Sequence, residues 1–173
     1  TCPPGPVGAY SAGRSMKRLA YAHGPSDTPL RGETIGGMWD DVVSGHGGGP
    51  ALVSRHQGIR WSYDELDERV RLCARALIAA GVAKGDRVGI WSPNRFEWVV
   101  IQFATARVGA ILVNINPAYQ VTDLGYALAQ SGVSLLVMAR GFRQSDYVAL
   151  LAQVRPECPE LRDAVVLDDE WES

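Results

Sequence analysis

Residues 87–115 read RVGIWSPNRFEWVVIQFATARVGAILVNI, and the fold class turns on how this stretch divides. RVGIWS (87–92) is an apolar run that gives way at Pro93 and Asn94 to RFEWVVIQFATARVG (95–109), followed by a second apolar run, AILVNI (110–115). Strands apolar on consecutive residues, with an amphipathic helix between them, are expected where a parallel sheet is covered on both faces. Pro93 restricts Ser92 to extended angles and ends the strand, and Asn94 is placed to cap a helix beginning at Arg95. Along that helix Phe96, Val100 and Phe103 form the expected inward stripe. Glu97 suits the positive N-terminal end, and Trp98 falls at a boundary with another element.

The same unit recurs downstream. TDLGYALAQSG (122–132) reads as a helix capped by Thr122 and ended by Gly132, and VSLLVMA (133–139) as the next strand. SDYVALLAQVRP (145–156) reads as a helix capped by Ser145 and stopped at Pro156, and AVVL (164–167) as the last strand. Alternating strands and helices of this kind predict an α/β fold, a mostly parallel sheet with helices on both faces and right-handed crossovers. Upstream, Ser62 and Glu65 form a capping box. Tyr63, Leu66, Val70, Cys73 and Leu77 then recur at helical spacing until Gly81 supplies the C′ position. Cys73 lies on that apolar stripe and reads as a small core residue. ALVS (51–54) and GIRWSY (58–63) predict a β-hairpin ahead of the sheet. TIGGMWDDVV (34–43) predicts a short helix capped by Thr34. SGHGGGP (44–50) has the glycines of a phosphate loop, but no strand precedes it and no Lys-Ser or Lys-Thr closes it, so it reads as a turn. Residues 1–33, rich in Pro, Gly, Ser and Ala, read as a loosely structured arm, leaving 34–173 as the α/β region.

Composition narrows the function classes. Seventeen basic and nineteen acidic side chains give a formal charge of −2 and are scattered, so no basic stripe offers itself to nucleic acid. No apolar run reaches the roughly 20 residues of a membrane span, and the N-terminus lacks the apolar block of a signal peptide. A cytoplasmic location is expected, with peripheral membrane contact as the alternative. Cys2, Cys73 and Cys158 are odd in number and far apart, which favours neither disulfides nor a metal site, and His23, His46 and His56 each sit alone.

Ligands of open parallel sheets bind beyond the carboxyl ends of the strands. Those ends are SPN (92–94), NINPAY (114–119), ARGFRQ (139–144) and DDEWES (168–173). None carries a glycine-rich pyrophosphate nest, and no nucleophile elbow or spaced carboxylate pair occurs in the chain. In NINPAY, Asn116 reads either as the start of a turn or as a ligand contact.

WSYDEL (61–66), GDRVGI (85–90), SPNRFEW (92–98), ARVGAILVNINPAYQ (106–120), LGYALAQSG (124–132) and LLV (135–137), in that order, resemble the N-terminal part of AMP-forming acyl-CoA synthetases. The resemblance runs from about Glu33 to Leu167 and is nearest the medium- and long-chain fatty-acyl branch. It implies an enzyme that joins a carboxylic acid to ATP as an acyl-adenylate and passes the acyl group to CoA, with Mg²⁺ assisting. It also implies that the ATP loop and catalytic lysine lie outside these residues, so that this chain binds no cofactor unaided and is inactive alone. Fatty acid and CoA would then be the partners of the longer protein, and an apolar face left uncovered would favour self-association. By the same resemblance, Arg140 and Arg143 are candidates for the 3′-phosphate of CoA. A non-catalytic α/β binding or scaffold domain remains the alternative, and a small flavodoxin-like nucleotide-binding enzyme a third reading.

Overall fold

The computed structural model describes residues 30–167. The expected arm, apart from residues 30–33, and the DDEWES strand end therefore lie outside the described residues. The chain divides into two units, Thr1–Gly32 and Glu33–Ser173, and the second carries every element below.

Local rules start most of its first half. The Thr34 hydroxyl accepts the Gly37 N–H at 3.1 Å and opens helix α1, Ile35–His46. A hairpin follows, β1 (Pro50–Ser54) antiparallel to β2 (Ile59–Ser62). Helix α2, Tyr63–Ala79, opens with a complete capping box, in which Glu65 N–H donates to the Ser62 hydroxyl and Ser62 N–H to the Glu65 carboxylate. Its far end closes as a Schellman motif: Gly81, at φ 80°, donates to the Ile78 carbonyl and Val82 N–H to that of Leu77. The glycine-rich turn at 44–50 presents carbonyls here. Gly47 and Gly49 accept the first N–H groups of α2, so the turn serves to cap that helix.

The sheet is built from β3 (Arg87–Trp91), β4 (Ile111–Ile115), β5 (Leu135–Met138) and β8 (Asp163–Val166), all parallel, in spatial order β4-β3-β5-β8. Connecting them are α3 (Phe96–Val108), α4 (Val121–Ser131) and α5 (Tyr147–Val154), the last preceded by a two-stranded ribbon, β6 (Gly141–Phe142) and β7 (Ser145–Asp146). Strand alternation then splits the core in two. Val88, Ile90, Leu135 and Val137 point into a cluster with α1, α2 and α3, while Trp91, Leu136 and Met138 point into one with α4 and α5. Gly89 faces the second cluster, where an added Cβ would meet Leu136 and Val133 at 3.0 Å.

Three helix starts differ from the sequence reading, two of them because a partner distant in the chain or a strand pairing intervenes. Helix α3 begins at Phe96, not Arg95, and neither Asn94 nor Arg95 caps it; Gln57 Oε1, from the hairpin turn, takes the Phe96 N–H at 2.8 Å. Helix α4 begins at Val121 with Gln120 in the N-cap position, which leaves Thr122 within the first turn. Helix α5 is capped by Asp146, whose Oδ1 accepts from Ala149 N–H, because Ser145 is held extended opposite Phe142 in the ribbon. The buried face of α3 is also not the one expected. Glu97, Val100, Ile101, Ala104 and Thr105 are buried, while Phe96 and Phe103 are half-buried.

Asp67 ties the first three helices together. Only 5% exposed, it accepts from Trp39 Nε1 (α1) at 2.8 Å, Arg107 Nη2 (α3) at 2.7 Å and Arg71 Nε (α2) at 2.6 Å. Arg107 also bonds Asp40, and Trp39 stacks on Phe103 with ring centroids 4.1 Å apart.

Candidate functional site

From the central strand β3 the chain steps to β4 on one side and then to β5 on the other. The crevice beyond the carboxyl ends of β3 and β5 is therefore the topological switch point, where an open sheet of this class receives ligands. The turn after β3 is closed upon itself. Ser92 is buried, its hydroxyl donates to the Pro93 carbonyl at 3.0 Å, and its own carbonyl accepts from Trp98 Nε1 at 3.3 Å. Its polar groups hold the turn, which accounts for a strand-to-helix junction without glycine.

Beside this turn lies a polar cluster that the periodicity gave no hint of. Glu97 is buried, yet it receives Arg95 Nη2 at 2.9 Å and Gln57 Nε2 at 2.9 Å. Gln57 also accepts from Ser54 Oγ at 2.9 Å as well as from Phe96 N–H, so one side chain latches the hairpin turn to the start of α3. A charged residue at an apolar position of FEWVVI was the only signal in the sequence, and it gave no indication of partners 40 residues away.

The bend after β4 is pinned from beneath. Trp91 and Tyr147 stack nearly parallel, centroids 3.6 Å apart and planes 7° from parallel. Trp91 Nε1 donates to the Asn116 carbonyl at 3.1 Å, and the Tyr147 hydroxyl to that of Pro117 at 2.6 Å. Burial pushes the Tyr147 hydroxyl up to about 12, so it remains a neutral donor. Asn116 is exposed, and its Oδ1 accepts the Ala118 N–H at 2.9 Å, an Asx turn.

Arg140 and Arg143 are both exposed at the third strand end, but the loop expected there is the β6–β7 ribbon. Arg143 sits at its tip with φ 56° and its guanidinium 5.1 Å over the Phe142 ring. The Asp146 carboxylate occupies the N-cap position of α5. The helix field expected to favour a phosphate there is thus already answered by a negative charge.

No group of three His, Cys, Asp or Glu side chains fit to hold a metal ion occurs among the described residues. Burial pushes the Cys73 thiol up to about 12, which keeps it protonated at neutral pH, as suits a small residue packed beside the core. No helix among the described residues is long and apolar enough to cross a membrane.

The chain matches the AMP-binding enzyme family over residues 39–173. It is 40% identical over 146 residues to the mitochondrial medium-chain acyl-CoA ligase ACSF2 of Rattus norvegicus, a match covering 84% of this chain and 23% of that protein. To the Bos taurus ligase of the same name it is 38% identical over 161 residues, 93% of this chain and 24% of the other. The fold is that of a long-chain-fatty-acid-CoA ligase (FadD1) from Archaeoglobus fulgidus, at TM-score 0.76 and 24% identity, covering 90% of this chain and 31% of that one. The chain spans about a quarter of the length of the curated relatives it matches. The parallel sheet flanked by helices and the family match together establish that this chain belongs to the AMP-binding enzymes, within the N-terminal portion of that fold.

Proposed function

We propose that the chain is the amino-terminal portion of an acyl-CoA synthetase. In the whole protein a carboxylate oxygen attacks the α-phosphorus of ATP and expels pyrophosphate; the CoA thiolate then attacks the acyl carbonyl and expels AMP, its proton passing to solvent. The observation that carries this reading is the 40% identity to an acyl-CoA ligase over 146 residues, 84% of this chain. Mg²⁺ would neutralise phosphate charge in the longer protein, but the described residues offer it no ligand cluster. These residues contribute the sheet and the pinned turns at its carboxyl edge; the sequence has no glycine-rich nest for ATP phosphates.

On this reading the 173-residue chain alone is inactive. Carboxylate-dependent exchange of labelled pyrophosphate into ATP is expected at the level of a blank, and exchange above it overturns the assignment of the phosphate-handling groups to other residues. A gene encoding no further AMP-binding residues, together with an inactive product, favours the scaffold reading instead.

Arg140 and Arg143 are proposed to meet the CoA 3′-phosphate, with Asn116 as a further contact through its amide N–H groups. A guanidinium offers paired donors that stay charged, each contact contributing roughly 1.5–3 kcal/mol. Replacing both arginines by Ala in the longer protein should raise KM for CoA at least tenfold and leave acyl-adenylate formation unchanged. An unaltered KM removes the pair. The longer protein is proposed to work in the cytoplasm; the rat ligase's name places that protein in mitochondria, and cell fractionation decides.

A further inference from the structure

Tyr147 is fully buried where the ends of β3, β4 and β5 come together, and it touches all of them. Its ring stacks on Trp91, the last residue of β3, and its hydroxyl donates to the Pro117 carbonyl in the bend after β4. Its backbone N–H donates to the Arg140 carbonyl at 3.0 Å, which closes the base of the ribbon after β5. Gln120 adds a tie at the surface, its Nε2 donating to the Ser145 hydroxyl at 3.2 Å. That bond is exposed and competes with water, so the buried one dominates. The ribbon has little shape of its own. Two paired residues a side are marginal in water, and the direction taken by its tip depends on what holds its base. Gly141 sits so close to the other strand that an added Cβ would collide with the Ser145 carbonyl oxygen. Arg143 stands at the tip in the left-handed region, φ 56°, where glycine would fit without strain; an arginine brings a guanidinium there instead.

We infer that Tyr147 is a positioning residue for CoA: by tying the ribbon to the bend after β4 it sets Arg140 and Arg143 for the 3′-phosphate before CoA arrives, an assignment that rests on the proposed CoA contacts of the two arginines. The hydroxyl is the telling group. A phenylalanine would stack on Trp91 equally well, but only the hydroxyl reaches the neighbouring strand end. Donors held in place lose less freedom when the ligand binds, so loosening them weakens binding of the phosphate they serve. Tyr147 touches no substrate in this scheme and acts only through the ribbon. Its effect should therefore be confined to ligands that carry the 3′-phosphate.

The test uses the longer protein and compares CoA with 3′-dephospho-CoA, the same thiol without the phosphate. In the wild type KM should be roughly tenfold lower for CoA. Tyr147→Phe should raise KM for CoA about fivefold, the worth of one hydrogen bond, and leave KM for 3′-dephospho-CoA where it was. With Arg140 and Arg143 both replaced by Ala, Tyr147→Phe should change neither value, because the groups it positions are gone. Equal KM values for the two thiols in the wild type would overturn the arginine assignment and this inference together. Discrimination that the arginine change abolishes but Tyr147→Phe leaves intact overturns the inference alone. A Tyr147→Phe change that raises both KM values alike, or that still weakens CoA binding without the arginines, assigns the hydroxyl a general structural role and also overturns it.

Discussion

Replacing Asp67 by Ala tests the three-helix tie directly. The change strips the acceptor from Trp39 Nε1, leaving a buried indole N–H unpaired, at a cost of roughly 1–3 kcal/mol. It also removes one of two carboxylates from Arg107, whose side chain is only 20% exposed, and breaking a buried pair costs about 3–5 kcal/mol. Asp40 remains as a second partner for Arg107, and Arg71, 60% exposed, loses little. Because Asp40 still pairs Arg107, the Arg107 contribution falls to about 2 kcal/mol and the total to about 3 kcal/mol, a large share of the roughly 5–15 kcal/mol typical of a domain. With a urea dependence of ~2 kcal/mol per molar, the midpoint followed by far-ultraviolet circular dichroism should fall by about 1.5 M. Glu68→Ala, at the exposed next position, should stay within about 0.5 kcal/mol. A loss below about 1 kcal/mol for Asp67→Ala would refute the claim that this carboxylate holds the helices together. Acid supplies a second reading. Burial alone pushes the Asp67 carboxyl up, but the hydrogen bonds from Trp39, Arg107 and Arg71 outweigh it and hold the group below its ordinary 3.8. Its folded value being the lower one, the stabilisation is complete above 3.8 and is lost as pH falls through the folded value. Wild type and variant should therefore converge in strong acid.

Two further substitutions probe the carboxyl edge, beside the pyrophosphate-exchange and CoA tests above. Gln57→Ala should destabilise by about 1–2 kcal/mol in urea unfolding, since it uncaps α3 and takes one donor from buried Glu97; no loss would mean that the latch contributes nothing. Tyr147→Phe keeps the stack on Trp91 and removes only the bond to Pro117, so a loss of about 1 kcal/mol is expected, and a loss above about 3 kcal/mol would show that the hydroxyl does more than pin this bend.

Signals confined to a few neighbouring residues were legible in the sequence. Thr34, the Ser62–Glu65 box and the glycines at 81, 109 and 132 each act within one turn of helix, and each stands where the sequence placed it. The central strands β3 and β5 were legible for a related reason, because burial on both faces leaves an uninterrupted apolar run, while the edge strands β4 and β8 kept short apolar runs although they are only partly buried. What escaped depends on chain segments far apart. No local rule links Gln57 to Phe96, and the pairing of Phe142 with Ser145 displaced the cap of α5 by one residue. At the candidate site, the composition of NINPAY and ARGFRQ identified the strand ends but not their state. The turn at Asn116 was already one of two readings of the sequence, but the bonds by which Trp91 and Tyr147 pin that bend, from 25 and 30 residues away, were not legible.

The spatial order of the sheet has a consequence for biosynthesis. The first strand made, β3, lies inside the sheet, and each later strand docks on one already present: β4 on one edge of β3, β5 on the other, β8 on β5. A chain leaving the ribosome at roughly 5–20 residues per second can therefore add its strands in the order in which they emerge, none of them waiting for a later one to be slotted between it and its neighbour. Parallel pairings form slowly because their loops are long. Here that delay is divided into three successive closures: β3 to β4 and β5 to β8 each span one helix with its turns, and β3 to β5 spans two helices and the strand β4.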